Sequence, residues 1–177
     1  MKSDQQLIDA INEGRLDAFE SLYLRYRDWV YNLAWRLTAN QQDALDVLQE
    51  TYLYVLGKFP GFTLTSSMTT FLYPVVKHIS LNIVRKNRRF VSEQETLAQT
   101  INTKSGSENT KHAELEVVLN VLSDDLREIV LMRYVDDMSQ EEISTALNTP
   151  LGTIKSRLHR ALQTLRQDER TQSYFLE

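Results

Sequence analysis

The sequence contains no cysteine and few histidines, glycines or prolines. Without cysteine the chain forms neither a disulfide nor a thiolate metal site. Its three scattered histidines, His78, His112 and His159, do not make a zinc site. Five glycines and three prolines among 177 residues disfavour a turn-rich all-β fold. We therefore expect a helical protein that needs no metal and no cofactor.

Long apolar runs are also missing. The N-terminal residues lead into no apolar signal segment, and no run approaches the roughly 20 apolar residues that span a bilayer. These absences predict a cytoplasmic protein without membrane insertion. The chain also shows no nucleophile–base set, no phosphate-binding loop and no paired-carboxylate pocket. We therefore expect that it is not an enzyme and has no small-molecule substrate.

The formal net charge of −4 conceals a marked asymmetry along the chain. Residues 85–89 read Arg-Lys-Asn-Arg-Arg, and the segment from Lys155 to Arg166 carries four basic residues and no acidic one. Between them, residues 114–142 hold nine acidic residues against two arginines. Two basic patches in an acidic chain favour two contacts with DNA and a separate surface for another partner. Solvated helix faces are the alternative interpretation of either patch alone.

Composition divides the chain into two parts. Residues 91–113 are polar and carry few large apolar side chains, which is typical of a flexible linker. On both sides of this segment, apolar residues recur at helical spacing. The sequence therefore predicts an all-α fold of two small helical domains, 1–90 and 114–177, joined by the linker.

Three helices are predicted in the first part. The first carries an apolar stripe of Leu22, Tyr26, Trp29, Val30, Leu33 and Leu37. Asn40 is expected to cap the second, at about 41–57, which ends near Gly57. The buried side of that helix is expected to contain Ala44, Leu48, Thr51, Tyr52 and Val55. The third, at about 70–89, carries Pro74 in its first turn and ends in the basic run.

The second part has the spacing of a helix-turn-helix. A helix at about 113–122 precedes another that begins after Ser123, which we expect to act as a cap. A shorter helix then starts with the capping box of Ser139 and Glu142, and Met138 and Ile143 supply its hydrophobic staple.

A tight turn and a basic helix follow. Asn148 is expected to adopt the left-handed turn conformation, and Thr149 to cap a last helix with Pro150 at its first position. The apolar face of that helix contains Leu151, Ile154, Leu158, Ala161, Leu162 and Leu165.

Small and basic side chains dominate the rest of this last helix, which suits entry into the major groove of DNA. The candidate DNA-binding residues are Gly152, Thr153, Lys155, Ser156, Arg157, His159 and Arg160. Gly152 permits backbone N–H groups at the helix N-terminus to approach phosphate. Arg160 and Lys155 can reach base edges or phosphates. An ordinary helical hairpin with a solvated basic face is the alternative.

Three segments of the second part match a known pattern. They read Arg127-Glu128-Ile129-Val130-Leu131-Met132-Arg133-Tyr134, then Met138-Ser139-Gln140-Glu141-Glu142-Ile143, then Gly152-Thr153-Ile154-Lys155-Ser156-Arg157-Leu158-His159-Arg160-Ala161. Together they resemble region 4 of the sigma-70 family, which reads the −35 promoter element. Ser123 stands where that family usually has proline, and Asn148 where it usually has glycine.

The first part carries a second match. Ala18-Phe19-Glu20, Tyr23 and Tyr26, followed by Asp43-Ala44-Leu45-Asp46-Val47-Leu48-Gln49-Glu50-Thr51-Tyr52, resemble sigma region 2. In that family the second segment is a helix that binds the clamp helices of the polymerase β′ subunit. The resemblance implies that core polymerase is bound by Asp43, Asp46, Gln49 and Glu50. The last three share a polar helix face at positions i, i+3 and i+4, although solvated faces have the same pattern.

A third segment completes the resemblance. Phe71-Leu72-Tyr73-Pro74-Val75-Val76-Lys77-His78, Asn82 and the basic run are similar to the helix that melts and holds the −10 element. The implied contacts are Phe62, Phe71, Lys77, His78, Asn82, Arg85, Lys86, Arg88 and Arg89. Opening DNA needs a basic surface and a pocket for a base turned out of the stack, which the loop at 62–70 is predicted to form.

Three of these positions depart from the usual pattern. Phe71 replaces a common tryptophan, His78 a common asparagine and Asn82 a common aspartate. Packing in the core is the alternative role for Phe71 and Tyr73.

The combined resemblance is to the extracytoplasmic function (ECF) group, because the additional regions of housekeeping sigma factors are missing. It implies a factor that binds core RNA polymerase at the β′ clamp helices and the β flap, binds promoter DNA and has an anti-sigma factor as a further partner. A helix-turn-helix regulator outside the polymerase is the second hypothesis, and a helical enzyme is the third. A regulator would carry a sensor or receiver domain in its first half.

Overall fold

The computed structural model describes residues 2–95, 119–168 and 171, and for residues 89–95 it describes the backbone alone. The chain divides between residues 103 and 104 into two compact units. All regular elements within the described ranges are α-helices, so the predicted all-α fold is confirmed. The predicted linker beyond residue 95 and most of the predicted helix at about 113–122 lie outside the described residues.

Within residues 2–95, the first unit consists of helices α1 (Asp4–Asn12), α2 (Leu16–Thr38), α3 (Gln41–Leu56) and α4 (Met68–Glu95). Helices α2, α3 and α4 pack against one another, and α1 packs on α2. Side chains from all four helices are almost completely buried; they include Leu7, Ile8, Leu22, Val30, Leu33, Ala44, Val47, Val55, Leu72 and Val76. Burial of this apolar surface is the main force that holds the unit together.

Helix α1 was missing from the sequence-based prediction, although its start has a signal. Ser3 and Gln6 form a capping box, in which the Gln6 N–H donates to Ser3 Oγ at 3.2 Å and the Ser3 N–H donates to Gln6 Oε1 at 2.9 Å. Asp4 then accepts hydrogen bonds from both Arg25 and Tyr26 of α2. Burial, together with the Asp4 carboxylate, raises the pKa of Tyr26. Helix α1 is therefore tied to α2 at its first residue.

Helix α3 begins as predicted but buries a slightly different face. The Asp43 N–H donates to Asn40 Oδ1 at 3.0 Å, which confirms the cap, and such a cap stabilises a helix by about 1 kcal/mol. Val47 is fully buried, whereas Leu48, which we expected in the core, is only half-buried. The buried sector differs because α3 packs between α2 and α4 rather than against one neighbour.

Helix α4 is longer than predicted at both ends. It begins at Met68, because Ser67 Oγ accepts the Thr70 N–H at 3.3 Å and so caps the first turn. Pro74 therefore lies in the second turn, and its placement in the first turn was wrong. Proline there removes the helical hydrogen bond to the carbonyl of residue 70. The helix continues to Glu95, past the predicted end at about residue 89.

Within residues 119–168, the second unit contains α5 (Asp124–Tyr134), α6 (Gln140–Ala146) and α7 (Leu151–Gln167). Helices α5 and α6 both pack on α7. The apolar face predicted for α7 is confirmed, because Ile154, Leu158, Ala161 and Leu165 are buried. Leu151 and Leu162 lie half-buried at its edges.

Of the predicted caps in the second unit, two differ from expectation. Thr149 does not cap α7, because its hydroxyl donates to the Leu147 carbonyl at 3.1 Å; Pro150, expected at the first helical position, occupies the N-cap, and the helix begins at Leu151. Ser123 stands at the N-cap position of α5, but its side chain makes no capping hydrogen bond. Its backbone carbonyl instead accepts the N–H groups of Leu126 and Arg127.

Candidate nucleic-acid and protein interfaces

The turn between α6 and α7 is fixed by local hydrogen bonds. The capping box predicted at the start of α6 is confirmed: the Glu142 N–H donates to Ser139 Oγ at 3.1 Å, and the Ser139 N–H donates to Glu142 Oε2 at 2.7 Å. Asn148 has a φ of 47°, the predicted left-handed conformation. The Ser144 hydroxyl then donates to the Thr149 carbonyl at 2.6 Å. The capping box fixes the start of α6, and the conformation of Asn148 with the Ser144–Thr149 bond fixes the turn that leads into α7, as a helix-turn-helix requires.

The outer face of α7 carries most of the residues predicted to bind DNA. Gly152, Lys155, Ser156, His159 and Arg160 are exposed, and Thr153 is half-buried. A Cβ added at Gly152 would meet no atom within 4 Å, so the space in front of this residue is open. The exposed face is basic and lies along a complete helix, which matches a recognition helix in shape and charge.

Arg157 differs from its neighbours on α7. Its guanidinium lies 3.6 Å from Asp125 Oδ2 of α5, and 35% of its side chain is exposed, against 71% for Asp125. The contact joins α7 to the start of α5, and the carboxylate offsets the arginine's charge. Arg157 is therefore less available to a phosphate group than Lys155 or Arg160.

Helix α3 places the predicted polymerase-binding residues along its outer side. Gln49 and Glu50 are exposed, whereas Asp43 and Asp46 are half-buried. Asp46 Oδ1 accepts a hydrogen bond from Gln42 at 3.2 Å, one turn earlier. Asp43 accepts two bonds from Asn87 Nδ2 of α4, at 3.0 and 2.9 Å. Asp43 therefore joins α3 to α4, a role that its place in the sequence did not reveal.

An apolar stripe beside these polar residues was missed in the sequence. Leu45, Leu53 and Leu56 are 43%, 59% and 43% exposed. With Gln49 they follow spacings of four, four and three residues, so they share one side of the helix. That spacing was visible in the sequence, but only the apolar residues that face the core were used to predict the packing of α3. A face that combines leucines with carboxylates suits a protein partner better than a nucleic acid.

The predicted −10 residues of α4 lie on an exposed basic helix. Arg85, Lys86 and Arg88 are exposed, and the side chain of Arg89 lies outside the described residues. His78 and Asn82 are also exposed; Asn82 Nδ2 and His78 Nε2 lie 3.0 Å apart, one helical turn from each other. Lys77 is half-buried and has an interaction partner within the protein.

Phe62 and Phe71 belong to an aromatic cluster at the end of α3 and the start of α4. Their ring centroids lie 4.8 Å apart. Phe59 adds an edge-to-face contact with Phe62 at 5.4 Å, and Tyr54 stacks on Phe71 at 6.5 Å. Lys58 Nζ lies 4.4 Å from the centre of the Tyr54 ring, in cation–π geometry. Phe71 is half-buried in this cluster, whereas Tyr73 is only 3% exposed and packs in the core.

The aromatic cluster has the properties of a stacking surface for bases. Its rings are adjacent, partly exposed and accompanied by a positive charge. Tyr54, Lys58 and Phe59 were not predicted as site residues. They belong to α3 and the loop after it, and their proximity to Phe71 depends on how α3 packs on α4.

Comparison with known proteins identifies the family. Residues 22–90 match the family model of sigma-70 region 2, and residues 112–165 match that of sigma-70 region 4. Together the two matches cover more than half of the chain. The chain belongs to the sigma-70 family.

Similar proteins specify the group within this family. The ECF RNA polymerase sigma factor SigW of Bacillus subtilis is 26% identical over 177 residues, which span 92% of this chain and 95% of the relative. The ECF RNA polymerase sigma-E factor of Escherichia coli is 29% identical over 92% of each chain. The sigma factor RpoE of Bartonella quintana, solved in complex with the anti-sigma factor NepR, shares the fold with a TM-score of 0.62. It is 24% identical, over 84% of this chain and 94% of its own.

These findings confirm the resemblance drawn from the sequence. The chain is an ECF sigma factor and acts with RNA polymerase in promoter-specific initiation of transcription. The region 2 match occupies the first half, where a stand-alone helix-turn-helix regulator would carry a sensor or receiver domain. The second hypothesis is therefore wrong.

Within the described part of the chain, the structure shows neither a membrane-spanning helix nor a cluster of metal ligands. No helix within residues 2–95 and 119–168 is long and apolar enough to cross a membrane. The same residues bring together no group of three or more His, Cys, Asp or Glu side chains that could hold a metal ion.

Proposed function

We propose that the two units of this sigma factor divide the work of initiation between them. A domain at residues 1–90 binds core polymerase and opens the −10 element, and a domain at 114–177 reads the −35 element. Residues 91–113 connect the two domains, and the first five of them form the end of α4. The observation that carries this assignment is the exposed face of α7, which combines Gly152, Lys155 and Arg160 behind a fixed helix-turn-helix turn.

In the second domain, α7 enters the major groove with its exposed face. Arg160 lies nearly opposite the buried stripe and pairs with a base edge, since its planar fork matches the acceptors of guanine. Lys155 lies on the flank of the helix and contacts phosphate. Gly152 lets the N-terminus of α7 approach the backbone of the DNA. Tyr134 and Val135, at the end of α5, are 58% and 48% exposed and supply an apolar contact for the β flap.

In the first domain, α3 docks on the clamp helices of β′. The exposed polar residues Gln49 and Glu50, with Asp46 beside them, complement a basic partner. Leu53 and Leu56 add apolar area to the same side. Because this face contains leucines as well as carboxylates, its contact with the clamp helices is only partly electrostatic. We therefore expect the binding of α3 to core polymerase to persist at moderate salt, which screens charges but not apolar contacts.

The aromatic cluster and the basic face of α4 hold the opened −10 strand. Phe62 and Phe71 offer ring faces against which a flipped base stacks, and each such contact is worth about 1–3 kcal/mol in comparable proteins. Arg85, Lys86 and Arg88 contact the phosphate backbone. The departures from the usual family residues at Phe71, His78 and Asn82 set the base preference.

Three further properties follow from the same proposal. The protein acts in the cytoplasm, where its polymerase and DNA partners are. It has no catalytic activity of its own, because family members are initiation factors that act through the polymerase. An anti-sigma factor binds it, as one binds the Bartonella quintana relative.

Copurification with core polymerase, followed by run-off transcription, tests the proposal. The holoenzyme transcribes a library of promoters randomised over the −35 and −10 elements, and the transcripts are sequenced. Asp46→Lys should lower the yield of holoenzyme, and Phe62→Ala or Phe71→Ala should relax base preference in the −10 element. Arg166→Ala, a charge change in the last turn of α7, is the control. Unselected transcripts from the wild-type holoenzyme would contradict the proposal.

A further inference from the structure

The loop between α3 and α4 is held by a residue of α1. Asn12 is the last residue of α1 and is half-buried. Its Oδ1 accepts the N–H groups of Gly61, at 2.7 Å, and Phe62, at 3.1 Å. Its Nδ2 donates to the Phe62 carbonyl oxygen at 2.9 Å. One side chain thus satisfies both backbone polar groups of Phe62 and one of the preceding residue.

The loop needs such a support because its own backbone does little to fix it. Gly61 has a φ of 98°, a conformation that residues with a side chain rarely adopt. In the described part of the chain, no backbone-to-backbone hydrogen bond involves residues 60–66: the last one before them is donated by Phe59, and the next is accepted by the Ser67 carbonyl. The position of Phe62 therefore depends on its contacts with Asn12 and with the rings of Phe59 and Phe71.

Asn12 belongs to a helix that is packed firmly against the rest of the first unit. Helix α1 buries Leu7, Ile8 and Ile11 and is tied to α2 through Asp4. Gly14, at a φ of 87°, turns the chain from α1 towards α2. The side chain that holds the loop thus belongs to the packed part of the unit. Asn12 also precedes residue 22, where the match to sigma region 2 begins, so it lies outside the matched segment.

We propose that Asn12 is a positioning residue for recognition of the −10 element: by holding Gly61 and Phe62, it fixes the aromatic surface against which the flipped base binds. The inference rests on the proposed role of Phe62 and Phe71. Asn12 contacts no DNA and acts through the ring of Phe62. Its loss leaves the loop in several conformations, so the surface accepts different bases more equally.

Base preference in the −10 element is the measurement that separates positioning from mere stability. The full-length protein is combined with core polymerase and used on the randomised promoter library. Asn12→Ala removes all three hydrogen bonds. We expect the ratio of preferred to other bases at the contacted −10 position to fall about fivefold, the factor in an equilibrium constant for one typical net hydrogen bond. Preference in the −35 element should stay unchanged.

Two further variants keep the test decisive. Asn32→Ala, an exposed asparagine of α2, is the matched control and should leave both preferences unchanged. Asn12→Asp keeps the acceptor for both N–H groups but places a carboxylate oxygen against the Phe62 carbonyl, so it should also relax the −10 preference. If Asn12→Ala does not fold, Asn12→Asp decides the question.

Each outcome has one meaning. A relaxed −10 preference with an unchanged −35 preference supports the role of Asn12. Lower activity that is equal for all −10 bases, or no change at all, overturns it. The proposed function fails separately, if Phe62→Ala and Phe71→Ala also leave the −10 preference intact. When those two variants relax the preference and the Asn12 variants do not, only the positioning role is wrong.

Discussion

Arg160 and Lys155 should make different contributions to reading the −35 element. Both are exposed on α7, and neither forms a salt bridge with a carboxylate in the described part of the chain. At 100° per residue, Arg160 lies nearly opposite the buried stripe, whereas Lys155 lies beside it. Arg160 is therefore placed to reach the base edges on the floor of the major groove, and Lys155 to reach the phosphates along its side.

The magnitudes follow from the two kinds of contact. Loss of a bidentate pair between Arg160 and a guanine should cost about 1–3 kcal/mol, which is a factor of roughly 5 to 150 in affinity. The cost should fall on one promoter position, because other bases never made that pair. Loss of a phosphate contact by Lys155→Ala should weaken all sequences about equally and lower the salt slope by about one.

Holoenzyme binding to single-base variants of the selected promoter, measured by fluorescence anisotropy at several salt concentrations, provides the assay. Arg166→Ala is the matched control, since it removes a guanidinium six residues, or about 9 Å, further along the same helix. Thermal unfolding verifies that each variant is folded. If Arg160→Ala weakens every promoter variant equally, Arg160 does not read a base. If Lys155→Ala changes the preferred base, the two assignments are reversed.

The remaining predictions concern other surfaces of the molecule. Asp46→Lys should weaken binding to core polymerase and leave the −35 preference unchanged; unaltered core affinity in a pull-down titration would refute the docking role of α3. Leu53→Ala should also weaken core binding while the thermal midpoint stays the same, because this side chain is 59% exposed. Asn40→Ala should lower the free energy of unfolding by about 1 kcal/mol, as urea denaturation of the first domain would measure, through loss of the α3 cap. Limited proteolysis should cut first between residues 96 and 113, beyond the end of α4, and a first cut inside 124–165 would contradict the two-domain arrangement.

Local signals in the sequence were sufficient for much of the second unit. The capping box at Ser139 and the turn at Asn148 each involve residues a few positions apart, so their chemistry is visible without a fold. The buried stripe of α7 follows from its period in the same way. Thr149 was assigned wrongly as the cap of α7 because Thr149 and Pro150 are adjacent and either could precede the first helical residue. The Thr149 hydroxyl bonds to the Leu147 carbonyl, so Pro150 is the N-cap.

Contacts between distant positions could not be predicted in this way. Asn12 and Phe62 are fifty residues apart, and nothing local to either one indicates the other. The same holds for the aromatic cluster, which depends on the packing of α3 against α4. Helix α1 had a local signal in Ser3 and Gln6, but its apolar residues were too few for a long periodic pattern. The resemblance to sigma factors indicated which surfaces bind DNA and polymerase, but it did not indicate residues such as Asn12 that hold those surfaces in place.

Asn87 shows how such a long-range contact explains an otherwise odd sequence feature. It interrupts the basic run of α4 and donates to both carboxylate oxygens of Asp43. With Asn87 facing α3, the 100° step of the helix turns Lys86 and Arg88 to the two sides and Arg85 away from α3. A fifth basic residue at position 87 would form an ion pair with Asp43, so its charge would be directed at α3 and not at the surface formed by Arg85, Lys86 and Arg88. The amide keeps the contact neutral on the α4 side, so the basic charge of the run lies on the surface proposed to hold DNA.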